Sequence, residues 1–115
     1  MKPERFNDDY LNDILKAIDN INDYTKGMTY EKFVQNVMCA HAVLLNISII
    51  GESAGKISKE IQQKYSEIPF PAIISMRNKL IHDYYEVDLY RVWLVIKDDL
   101  PILKKQMEKI LKELN

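Results

Sequence analysis

A chain of 115 residues is long enough for one hydrophobic core and too short for two, so residues 1–115 are expected to form a single domain. The 47% hydrophobic content supplies that core, and the net charge of −1 gives no overall positive field of the kind that coats nucleic acid. A single cysteine, Cys39, excludes an internal disulfide and points to a reducing, cytoplasmic setting. Neither a signal peptide nor a membrane span is expected: no apolar run follows Met1, and the stretch Ala42 to Ile50 is short and broken by Asn46 and Ser48.

Helical periodicity runs through the whole chain. Phe6, Tyr10, Ile14, Ile18 and Ile21 recur every three or four residues, with Leu11 and Leu15 widening the stripe, and Gly27 supplies the stop. Thr29 is the expected N-cap of the next helix, whose apolar side is Phe33, Val37, His41, Leu44 and Leu45. Gly51 and Gly55 predict a kink or short break before Ile57, Ile61 and Tyr65. Ile68-Pro-Phe-Pro is an extended connector, and Pro71 can open a helix through Ile73, Ile74, Met76, Arg77, Leu80 and Ile81. Asp88 caps the last segment, in which Leu89, Val92, Ile96, Leu100, Leu103, Met107, Ile110 and Leu114 form a near-heptad stripe. Pro101 predicts a kink there, or a restart capped by Asp98 or Asp99. With no strand-like alternation beside these patterns, the fold class is all-α, an antiparallel four- to five-helix bundle. The stripe on the last helix is long enough to serve either the core or a homodimer seam.

Several chemistries lack their residues. Two histidines and one cysteine are poor material for a metal centre, and Cys39-x-His41 splays its side chains roughly 200° apart on a helix. His41 falls on an apolar stripe and is expected in the core or an interface. There is no phosphate-binding glycine loop and no nucleophile elbow. Asp8-Asp9 and Asp98-Asp99 are read as capping and solubility, and Lys104, Lys105, Lys109 and Lys112, mixed with Glu108 and Glu113, as a solvated face. No cofactor is expected.

One segment stands apart: Met76-Arg-Asn-Lys-Leu-Ile-His-Asp-Tyr-Tyr, where Arg77 and His82 flank Leu80 and Ile81 at the end of an apolar helix. By composition alone the pair could be an ordinary surface arginine and a histidine near a helix C-terminus, where a cation is favoured. It is also a sufficient set for metal-free RNA cleavage. Arginine can hold a phosphate through two parallel hydrogen bonds, and histidine moves protons near neutral pH. Five residues turn an ideal helix about 140° past a full turn, so the two are not side by side. Arginine's reach, an end of the helix near His82, or a second chain across a two-fold axis could complete the site; the dimer is the preferred solution.

Arg77-x4-His82-x-Tyr84 matches the R-x4-H-x-Y motif, and the chain resembles the HepT toxin family of HEPN ribonucleases. Asp13-Ile-Leu-Lys-Ala-Ile, Tyr24-Thr-Lys-Gly-Met, Ile49-Ile-Gly-Glu, Ile68-Pro-Phe, Met76-Arg-Asn, Trp93 and Asp99-Leu-Pro extend the likeness over nearly the whole chain. Phe70-Pro71 departs from it, since tryptophan followed by a non-proline residue is more usual there. The resemblance implies a HEPN domain over residues 1–115 acting as a homodimeric, metal-independent endoribonuclease, the toxin of a type VII-like toxin–antitoxin pair. It assigns catalysis of RNA cleavage to Arg77 and His82 and support of the cleft to Asn78. Tyr84 becomes the tyrosine to which a minimal nucleotidyltransferase antitoxin attaches AMP. The alternative is a catalytically silent HEPN domain that binds nucleotide or such a nucleotidyltransferase; a plain helical interaction module is a third reading.

Overall fold

The computed structural model describes residues 6–82 and 86–114, with only the backbone of Ile81 and His82. The described residues hold helices and connectors and no strand. The first helix, α1 (Asn7–Thr25), buries Leu11, Ile14, Ala17, Ile18 and Ile21; of the rest of the predicted stripe, Tyr10 and Leu15 are half-buried and Phe6, just ahead of the helix, is 61% exposed. Asp9 closes its start by accepting the Phe6 N–H at 3.0 Å, and Gly27 ends it at φ 73°, the left-handed conformation that glycine adopts without a Cβ penalty. Thr29 then caps α2 (Tyr30–Gln35), its hydroxyl oxygen accepting the Lys32 N–H at 3.2 Å.

The second predicted helix is divided. Asn36 terminates α2, and its side-chain oxygen accepts the Cys39 N–H at 3.0 Å to open α3 (Val37–Lys56). That division changes which residues face inward. Phe33 is buried from α2, Val43, Leu44, Ile47 and Ile50 from α3, whereas Val37, Met38, His41 and Leu45 are exposed. His41 is therefore not a core residue of this chain, although it fell on the predicted stripe.

Helix α3 also runs unbroken through Gly51 and Gly55, where a kink was expected. Each interior glycine costs roughly 1 kcal/mol against alanine, while burying one isoleucine yields about 1.5–3 kcal/mol. With Ile47, Ile50 and Ala54 all buried, packing outweighs propensity. By length and apolar content α3 could cross a membrane; its apolar side is instead the centre of the bundle, with α1 packed on one flank and α5 on another. Asn46, 5% exposed, joins α1 and α3: its amide nitrogen donates to Ala42 O at 2.9 Å and its oxygen accepts from Asn20 at 3.2 Å.

The short α4 (Lys59–Lys64) is capped by Ser58, whose backbone N–H donates to Asn7 Oδ1 at 2.9 Å and so ties it to the start of α1. Tyr65 follows with a buried ring, and its hydroxyl donates to the Glu113 carboxylate near the end of the chain. Helix α5 (Phe70–His82) starts at the Ile68-Pro-Phe-Pro connector, with the Ile73 N–H bonded to Pro69 O at 3.0 Å. Asp88 caps α6 (Leu89–Leu94) as predicted, accepting the N–H groups of Tyr90 at 3.0 Å and Arg91 at 3.4 Å.

Between α6 and α7 (Leu100–Leu114) the chain passes through a π turn, Val95–Asp99, without leaving the helical path. Pro101 has no N–H for the carbonyl four residues back, and its ring crowds that carbonyl; the wider turn just before it relieves both problems. No capped restart occurs, and Asp98 and Asp99 are exposed. Leu103, Met107 and Ile110 on α7 are buried, and α7 packs on α1. Most of the stripe on the last helix is thus spent inside the chain, with Leu114 at its far end left exposed. Among the described residues, four long rods, with α6 and α7 counted as one, and two short helices make the expected all-α bundle.

Candidate active site on the fifth helix

Arg77 lies a little more than one turn from the C-terminal end of α5, half-buried, with its stem laid against α3. The contact is very close: a Cβ placed on Gly51 would stand 2.2 Å from Arg77 Cβ and 2.9 Å from Arg77 Cγ. Beyond that shelf the guanidinium turns back along its own helix, where Nη1 donates to Asn78 Oδ1 at 2.9 Å. Among the described residues the ion pairs are Lys56–Glu52 and Lys104–Asp19, so no described carboxylate neutralises Arg77. The group that results is a cation with an anchored stem, an oriented tip and no carboxylate partner among the described residues. Such a group suits an anion with several oxygens.

His82 is the last described residue of α5, five positions beyond Arg77. It occupies the helix position one turn beyond Asn78, the residue towards which the Arg77 guanidinium is drawn. The His82 side chain, and Tyr84 altogether, lie outside the described residues. The expected cluster is therefore represented by Arg77 and Asn78, with His82 placed by its backbone.

A cleft of about 670 Å³ opens on the neighbouring face of α5. Its floor is Ile47, Met76, Leu80, Val92 and Val95, and Lys79, Arg91, Glu86 and Asp88 stand at its mouth. Arg77 does not line it, because residues 72, 76 and 79 face α6 while residues 73 and 77 face α3. The mixed charges at the mouth give it no clear preference for an anion.

Cys39 and His41 diverge as their spacing implies: the cysteine is buried, with Sγ 3.5 Å from Tyr24 O and 3.8 Å from Met28 Sδ, and the histidine is exposed. Burial pushes the Cys39 thiol above its ordinary range, the opposite of what a nucleophilic cysteine needs. Among the described residues no three His, Cys, Asp or Glu side chains converge as metal ligands. The residue that sequence reasoning misread is Gly51. Its signal was present, since two glycines four apart share one helix face and permit a neighbour to approach closely.

The bundle carries on one helix an arginine held towards Asn78 and, five residues on, a histidine, the residue types that metal-free RNA cleavage uses. Comparison with known proteins makes the class specific. The family described as "Ribonuclease HepT-like" matches residues 14–110. Two proteins of Methanocaldococcus jannaschii, each named "Putative RNase", are 44% and 43% identical over 112 residues, covering 97% of this chain and 97% and 93% of their own lengths. A protein of Thermococcus cleftensis named "Probable ribonuclease HepT" is 37% identical over 109 residues, covering 95% of this chain and 99% of its own. No solved structure matches. The chain belongs to the HepT-like ribonuclease family.

Proposed function

We propose that this protein is a metal-independent endoribonuclease working as a homodimer, with Arg77 and His82 as its catalytic residues and Asn78 holding the arginine. The observation that carries the reading is the Arg77 guanidinium: it is bonded to Asn78 at 2.9 Å, unpaired with any described carboxylate, and set on the helix that carries His82. In the reaction a 2′-hydroxyl attacks the adjacent phosphorus and the bond to the next nucleotide's 5′-oxygen breaks. A cyclic 2′,3′-phosphate and a free 5′-hydroxyl result. His82 moves the protons, one off the nucleophile and one onto the leaving oxygen, and Arg77 stabilises the charge gathering on the phosphoryl oxygens. One histidine cannot be acid and base at the same instant. Two chains facing each other supply both, and the exposed Val37, Met38 and Leu45 on α3, at 61%, 84% and 63%, give apolar surface for such a pairing.

The same reading makes the protein the toxin of a type VII-like pair. A partner nucleotidyltransferase silences it by directing the Tyr84 phenol to the α-phosphorus of ATP, with pyrophosphate leaving. The attached phosphate would compete for Arg77, and its adenosine would fill space needed by an RNA base. Cleavage of an RNA oligonucleotide is expected to persist in excess EDTA and to fall at least about a hundredfold in Arg77→Ala and in His82→Ala, the scale of losing a charge-stabilising or proton-transfer group. Peptide mass spectrometry after co-expression with the partner is expected to find AMP on Tyr84. Folded single variants that cut at the wild-type rate would overturn the catalytic assignment, and AMP on Tyr85 alone would overturn the regulatory one. A wild-type protein that binds the partner and cuts no RNA would mark a silent HEPN domain.

A further inference from the structure

We infer that Gly51 is the positioning residue of this site: the absent side chain on α3 seats α5 at the height from which Arg77 presents its guanidinium. This rests on the assignment of Arg77 to the chemistry. A Cβ at position 51 would meet Arg77 Cβ at 2.2 Å, Arg77 Cγ at 2.9 Å and Ile73 O at 3.1 Å, whereas carbon atoms in contact ordinarily sit about 3.5–4.0 Å apart. The blocking atom is a Cβ, fixed to the α5 backbone, so no change of rotamer removes the clash. The helix itself must retreat by more than about 1 Å to regain normal contact. One turn along, the second glycine gives the contrast, for a Cβ on Gly55 would meet only Ile74 side-chain carbons at 3.8 and 3.9 Å. The crossing point of the two helices is therefore at Gly51 and on Arg77. Glycine is also a poor residue for the interior of a 20-residue helix, so the close crossing is made here against local preference.

The consequence for chemistry is geometric. The Arg77 stem is held on α3, and only its end is free to turn towards Asn78 at 2.9 Å. Displacing α5 swings that end away from the phosphate, and a misplacement of about 1 Å in a catalytic group can cost on the order of a hundredfold in rate. Because the arginine acts on charge that develops during the reaction, the loss falls on kcat more than on KM.

The test compares Gly51→Ala with Gly55→Ala in the full-length protein, by circular dichroism, thermal melting and steady-state cleavage of one RNA oligonucleotide. Gly51→Ala is expected to lower kcat at least about tenfold with KM within about threefold, at a temperature where it is fully folded; Gly55→Ala stays within about twofold of wild type. A melting cycle with Arg77→Gly, which removes the obstructing Cβ, reads the contact without using activity. The drop in melting temperature caused by Gly51→Ala is expected to be at least halved in the Arg77→Gly background. If Gly51→Ala fails to fold alone, its recovery in the double variant supports the seat, and equal damage in both backgrounds overturns it. A folded Gly51→Ala enzyme with wild-type kcat, or a Gly55→Ala variant equally slow, also overturns it. If wild type cuts no RNA, the catalytic reading fails, while the melting cycle still decides whether Gly51 seats Arg77.

Discussion

Replacing Asn78 separates two roles that the Arg77–Asn78 contact could serve. The 2.9 Å bond joins a half-buried arginine to an exposed asparagine, so both ends rehydrate when it is lost. Asn78→Ala is expected to change folding stability by less than about 0.5 kcal/mol, as for most surface substitutions. The guanidinium, no longer held, loses orientation worth about 1 kcal/mol, the net scale of one hydrogen bond, which corresponds to about a fivefold fall in cleavage rate. Asn78→Asp keeps an acceptor for Arg77 and makes the bond stronger, but it adds a negative charge about 5 Å from a phosphate seated on the guanidinium. At that distance the repulsion is about 0.8 kcal/mol at the dielectric constant of water and about 3 kcal/mol at an effective value near 20. The aspartate variant is therefore expected to be slower than wild type by roughly fourfold to two-hundredfold, and its deficit should widen as salt is lowered. Initial rates on a fluorogenic RNA oligonucleotide at two ionic strengths, with melting curves on the same samples, measure both effects. An aspartate variant as fast as wild type at low salt would show that no substrate phosphate sits near Arg77.

Three further outcomes test other parts of the structure. Phe33 is fully buried, with its ring 5.3 Å from that of Trp93; Phe33→Ala is expected to destabilise the fold by about 3–5 kcal/mol, and a denaturant midpoint within error of wild type would contradict that packing. The Tyr65 hydroxyl is bonded to Glu113, which, with burial, raises its pKa above the ordinary value of 10.0. A raised acid in the folded state means that its stabilisation is complete below the unfolded pKa and is lost as pH rises from there through the folded value; melting temperature should fall above about pH 10, and Tyr65→Phe should lack that part of the fall. Met38→Glu and Leu45→Glu place charge on exposed α3 positions, so each is expected to leave the fold intact while producing a monomer by sedimentation and abolishing cleavage, and a variant that stays dimeric and active would remove this face from the interface.

Local chemistry was enough to define the helices that have strong stripes and strong caps. The buried side of α1, the caps at Thr29 and Asp88 and the stop at Gly27 each follow from residues within a few positions of one another, and each is found as expected. The motif segment stood out for a related reason: Arg77, Asn78 and His82 lie within six consecutive residues of one helix, so their spacing could be matched to a family motif, where composition alone left an ordinary surface arginine and histidine open. Tertiary packing decided the rest. Whether Gly51 breaks a helix or admits a neighbour depends on α5, some twenty residues later in sequence, and the burial gained along α3 exceeds the local cost of its glycines. Whether Val37, His41 and Leu45 face inward depends on a break at Asn36, which turned the start of α3 away from the core. Whether the last stripe serves core or partner depends on α1, which covers it. The direction of the Arg77 guanidinium belongs to the same group, because it is set where two helix backbones cross, a distance that no single segment of sequence contains.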